Sequence, residues 1–229
     1  MKRLLLSVLF ATSTLLAHQI TAKIDKNGVY TAQFWAHGKY DSFDIKQLKG
    51  ATAYDENNQE IKTGIDYSKG PELLMVKKPA MIALSFDAGY WVKTDNGYKN
   101  IDPSKYKGVV FNTLKSIKYG KRYFKWSESF TNPAGLGMEV VPLINPLKIK
   151  KGEKLPVLVL KDGEVLQNAG FETSDYEDLD IKTNKYGIAY VPVKRSGLQI
   201  IAAKYYADEV NDPNVNKITI QSSISFEVK

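Results

Sequence analysis

The 229-residue sequence contains no cysteine. That absence excludes disulfides, iron-sulfur clusters, Cys-ligated zinc, a thiol nucleophile and a lipid anchor on an N-terminal Cys. Histidine is nearly as scarce, with only His18 and His37 in the whole chain. Long apolar runs are missing too. The run from Leu4 to Leu16 has 13 residues, short of the ~20 that span a bilayer as a helix, and no second run approaches that length. Hydrolytic chemistry finds no G-x-S-x-G, no H-E-x-x-H and no P-loop to rest on, and a third histidine for a zinc hydrolase does not exist.

What is present begins with an export signal. Residues 1–17 have a basic start at Lys2 and Arg3, an apolar run and a small residue, Ala17, where a signal peptidase would cut. Cleavage there makes His18 the first residue; a second candidate, after Ala22, would discard it. The formal charge is +7, and removing Lys2 and Arg3 leaves +5, too mild an imbalance in an exported protein to argue for nucleic acid. The exported chain is expected in the periplasm, without stable membrane insertion.

Both histidines lie near one turn. Asn27-Gly28 is a strong two-residue hairpin signal, because both residues accept the positive φ of a type I′ turn. That turn pairs Lys26 with Val29 and, if the ladder runs on without a bulge, His18 with His37, whose Cβ atoms would then stand ~5 Å apart. Two imidazoles so placed suit one metal ion, and a free α-amine on His18 would add a third nitrogen. One bulge would send the rings to opposite faces. Asp41, Asp87 and Glu139 are candidates for an oxygen ligand.

The rest of the chain reads as short strands between polar turns, an all-β protein of two antiparallel sandwich-like domains. The boundaries are a signal over 1–17, an N-terminal domain with the metal site over 18–136, and a C-terminal sandwich over 137–229. Ala80 to Phe86, Leu155 to Leu160, Leu198 to Tyr206 and Ile218 to Val228 are the clearest strands, and Asp95-Asn96-Gly97 marks a second hairpin. Two segments read less simply. Val109 to Trp126 has lysines interleaved with aromatics and a helix-like spacing that Gly120 would break; its bland reading is a solvated basic face. Glu172 to Asp180 carries five carboxylates and reads as a solvated acidic loop.

Several stretches together resemble a known family: Ala17-His18-Gln19, Trp35-Ala36-His37-Gly38, Pro79 to Leu84, Gly89-Tyr90-Trp91, and GLGMEVVPLINPLKIKKGEKLPVLVLKDG from Gly135 to Gly163. The sequence resembles the DUF4198 family, exported proteins often described as the periplasmic component of cobalt or nickel ABC-type transport. The resemblance implies an immunoglobulin-like or transthyretin-like C-terminal sandwich and a role near metal uptake, with His18, His37 and Glu139 at the family's matching positions. The expected function is therefore a non-enzymatic periplasmic accessory that binds nickel or cobalt and meets a metal uptake transporter or another periplasmic protein. Copper is the alternative cargo, since it outcompetes nickel on nitrogen ligands. An oxidative copper enzyme built on the same N-terminal brace, and a sandwich that grips a protein or glycan with incidental histidines, are the readings from other classes.

Overall fold

The computed structural model describes residues 18–175, 178–207 and 210–229. The signal expected over residues 1–17, with its cut after Ala17, lies outside them. Eighteen strands are found among the described residues, in the order β1 (Gln19–Ile24), β2 (Tyr30–Ala36), β3 (Lys39–Asp41), β4 (Leu48–Tyr54), β5 (Glu60–Ile61), β6 (Thr63–Asp66), β7 (Glu72–Met75), β8 (Met81–Thr94), β9 (Gly97–Asn100), β10 (Asn112–Tyr123), β11 (Met138–Pro142), β12 (Lys154–Lys161), β13 (Glu164–Val165), β14 (Gly170–Thr173), β15 (Leu179–Lys182), β16 (Ile188–Pro192), β17 (Gly197–Tyr206) and β18 (Lys217–Val228). They form sheets of five, nine and four strands, none closed into a barrel. The all-β, mostly antiparallel reading is what the structure shows.

The nine-stranded sheet is the middle layer. Its order is β15-β14-β17-β18-β10-β8-β4-β5, with β9 added beside β8, and β10 runs parallel to β18. Alternate residues of β8 enter different cores. Ile82, Leu84 and Phe86 pack with Ile20, Ala32 and Leu73 of the five-stranded sheet, whereas Met81 and Ala83 join Val140, Val157 and Val191 of the four-stranded sheet. A strand buried on both faces needs apolar residues at every position, which is why Ala80 to Leu84 reads as an unbroken run rather than an alternation. Full burial of each large side chain there contributes roughly 1.5–3 kcal/mol. The sequence boundary after residue 136 falls between the two cores only in part, because the middle sheet draws β4, β5 and β8 to β10 from before it and β14, β15, β17 and β18 from after it.

Two expectations need correcting. Val109 to Trp126 is not a solvated basic face: residues 112–123 form β10, the long central strand, and Lys118, Lys121 and Arg122 on it are buried. Its helix-like spacing came from residues that alternate between two buried faces. Lys118 pairs with Gln221 and Phe86, and Gly120 with Ser223 and Leu84, on one face, while Lys121 points to the other. The acidic stretch is also not wholly a solvated loop. Glu172 and Thr173 belong to β14, and both are buried.

Gly120 sets how closely the layers approach. A Cβ at this position would lie 2.0 Å from the carbonyl oxygen of Ile20, so β1 rests against bare backbone of β10. That contact places the start of β1, and with it His18, over the middle sheet.

Candidate functional site

The two histidines do meet, by a route different from the expected one. The Asn27-Gly28 turn is not type I′: Asn27 does not adopt positive φ, and only Gly28 does, at 82°. Asp25 N–H donates to Val29 O at 3.0 Å and Gly28 N–H to Asp25 O at 3.1 Å, a three-residue connection with glycine in the left-handed bulge position. The Asp25 carboxylate also accepts from the amides of Asn27 and Val29 at 2.8 and 2.9 Å, which locks this alternative. The ladder therefore pairs Ile24 with Tyr30 and Gln19 with Trp35, one residue away from the register that sets His18 opposite His37.

The lost position is recovered at the next turn. Ala36 pairs with Lys39, so His37-Gly38 is itself a two-residue hairpin turn, with φ of 52° and 77°. Positive φ at both corners is the type I′ geometry, and histidine is among the non-glycine residues that tolerate it. In this conformation the His37 ring reaches back to His18. The two Nε2 atoms lie 3.2 Å apart, with ring centroids 4.6 Å apart and planes at 90°. One Nε2 carries the shared hydrogen and the other accepts it. A metal ion about 2.0–2.1 Å from both nitrogens would see them at roughly 100°, between square-planar and tetrahedral values.

Burial shapes His18. Its ring lies 6.1 Å from Phe34, which stacks on Phe86, and Phe43 meets Phe86 edge-on. Its pKa falls from 6.5 to about 4, first through desolvation, then through Lys118 and His37, with Asp41 opposing. The imidazole is therefore neutral at pH 7, the form that ligates a metal. The depressed value also makes a stability statement. Between pH 6.5 and about 4 the unfolded chain binds the proton that the folded chain refuses. His18's contribution is complete above 6.5 and is lost as pH falls toward about 4. A His18→Gln variant should show a flatter decline in unfolding free energy over that window than the parent, measured by urea titration at each pH. Identical slopes would contradict the assignment.

The oxygen candidates scatter. Asp41, at the end of β3, is the one near the pair: it acts on His18 electrostatically and lines a cavity of about 470 Å³ with both histidines, Phe34, Phe43 and Asp44. Asp87 lies on β8, where one oxygen accepts from Gly89 N–H at 2.9 Å and the other is 4.0 Å from Lys115 Nζ. Glu139 is buried on β11, in an ion pair of 2.5 Å with Lys121, and also accepts the amides of Ala134, Gly135 and Leu136. Its oxygens are occupied in holding a loop. Among the described residues no group of three or more His, Asp and Glu side chains is arranged to hold a metal ion.

A second cavity of about 470 Å³ shares His18, His37 and Trp91 with the first and is further lined by Tyr98, Leu114 and Lys118. Trp91 is fixed there, its indole N–H donating to Ala88 O at 3.1 Å. Lys118, only 5% exposed, donates to Gln221 Oε1. Gln221 in turn donates to Glu172 at 2.9 Å, and Gln19, beside His18 in sequence, donates to the same oxygen at 2.5 Å. Desolvation lowers the Lys118 pKa to about 8 and raises that of Glu172. Local sequence gave no sign of this network, because its four members come from β1, β10, β14 and β18.

No curated protein matches the chain. The family model for a domain of unknown function, DUF4198, matches residues 12–207, a span that holds both histidines, Lys118 and Glu172. The chain belongs to the DUF4198 family.

Proposed function

We propose that the protein is an exported, non-enzymatic periplasmic accessory that carries one transition-metal ion on His18 and His37, with nickel or cobalt as cargo for an uptake system. The carrying observation is the 3.2 Å separation of the two Nε2 atoms, reached although the hairpin register alone would part them. Cutting the chain after Ala17 would free the His18 amine as a third nitrogen next to its own imidazole; water or Asp41 would complete the shell. Burial keeps His18 neutral, so protons compete weakly for that ligand. The same nitrogen set favours copper in the usual affinity order, which makes a copper carrier the second reading.

Titrating the exported protein with nickel, cobalt and copper tests this, with its N-terminus checked by mass spectrometry. His37→Ala should weaken binding roughly 100-fold or more, since loss of a ligand exceeds the tenfold to hundredfold cost of disturbing a ligand's support. One extra residue ahead of His18 should weaken it if the amine takes part. Undiminished affinity in His37→Ala would overturn the shared site. Copper retained against excess nickel would select the second reading.

A further inference from the structure

His18 and His37 line two cavities of different charge, which also share Trp91. One has Asp41 and Asp44 in its lining; the other has Lys118 with Tyr98 and Leu114. The acidic cavity attracts a cation. The cavity with Lys118 repels one, because the buried ammonium acts on His18 directly, while Glu172 is hydrogen-bonded to it only through Gln221. An ammonium has three donors, and among the described residues Gln221 is its one hydrogen-bond partner. A divalent ion with no other ligand held between His18 and His37 would therefore sit beside a positive charge that Glu172 offsets only in part, with two protein nitrogens and open positions to fill.

We propose that the site takes its metal as a complex with a small organic polycarboxylate, one carboxylate closing the metal's shell and another resting on Lys118. This rests on the metal reading above and names the form of its cargo. The charges then balance in place: the ion lies toward Asp41, the anion toward Lys118. Trp91, Tyr98 and Leu114 cover the organic part, and the fixed indole gives it a flat wall. Charge-assisted hydrogen bonds at a water-poor site are stronger than neutral ones, so Lys118 discriminates an anionic chelate from a neutral one.

Equilibrium dialysis of the exported protein against nickel alone, nickel with citrate, and nickel with ethylenediamine tests the proposal by counting both metal and chelator retained. Citrate should be retained one-to-one with nickel, and ethylenediamine should not. Lys118→Met should lower citrate retention roughly tenfold while aqua-nickel binding holds or tightens, since a repelling charge has gone. These opposite signs distinguish lost recognition from lost folding. In the citrate arm, nickel retained with no citrate beside it, equal retention of both chelators by the parent protein, or citrate retention that survives Lys118→Met would each overturn the proposal and leave the histidine site standing. Failure of the parent protein to retain nickel in any form would overturn both.

Discussion

Gly120→Ala should abolish folding or cost at least the upper end of the about 1–3 kcal/mol typical of overpacking. The added methyl would sit 2.0 Å from Ile20 O and 3.0 Å from Ile20 C, and neither strand can yield alone. Ile20 is held in the β1–β2 ladder opposite Phe34, and Gly120 is held between Leu84 and Ser223. Separating the layers would also strain the Thr21–Ser225 hydroxyl contact of 2.6 Å and the Gln19–Glu172 bond. Gly64→Ala is the control, since its Cβ would meet nothing nearer than Leu74 Cβ at 3.9 Å, and it should stay within about 0.5 kcal/mol of the parent. Urea denaturation midpoints compare the two; similar midpoints would contradict the close approach.

The second large effect lies against the opposite face of β10, where Glu139 of β11 pairs with Lys121. Glu139→Leu should cost about 3–5 kcal/mol, the range for breaking a buried ion pair from one side. It strands the Lys121 ammonium, 1% exposed, and leaves the amides of Ala134, Gly135 and Leu136 without their acceptor. Lys121→Met should cost less, about 1–3 kcal/mol, because the carboxylate keeps those three amides. The double variant should fall well short of the summed costs, as coupled partners do. Equal single costs would show that the loop amides add nothing. Variants that remain folded should bind nickel like the parent, which separates Glu139 from the proposed metal ligands His18 and His37.

The strands were legible wherever burial is simple. Leu155 to Leu160 is apolar over its whole length, and Ile218 to Val228 sets Ile218, Ile220, Ile224, Phe226 and Val228 at alternate positions, a two-residue period that no helix fits as well. Asp162-Gly163 forms the turn its dipeptide implies, with φ of 50° and 84°. Asn-Gly proved less decisive, because the pair can serve either as the two corners of a type I′ turn or as the last corner and bulge of a longer one. At Asn27-Gly28 and again at Asn96-Gly97 the glycine alone takes positive φ, and the Asp25 side chain decides the first case.

That one-residue difference would have parted the histidines, yet the sequence held the compensation in His37-Gly38, itself a type I′ dipeptide. The meeting of the rings was thus legible, though by a mistaken route. The buried charges were not. Lys118, Lys121 and Glu172 look like solvated residues within charged segments, and only pairings across long sequence separations bury them: β10 with β18 and β14 with β17. Local periodicity carries no information about a partner a hundred residues away.

X-ray absorption at the metal edge of the protein beginning at His18, loaded with nickel or copper, tests the central claim most directly. The account expects a first shell with two imidazoles at about 2.0–2.1 Å, falling to one in His37→Ala. A shell of oxygen atoms alone, or the same imidazole count in both proteins, would contradict it.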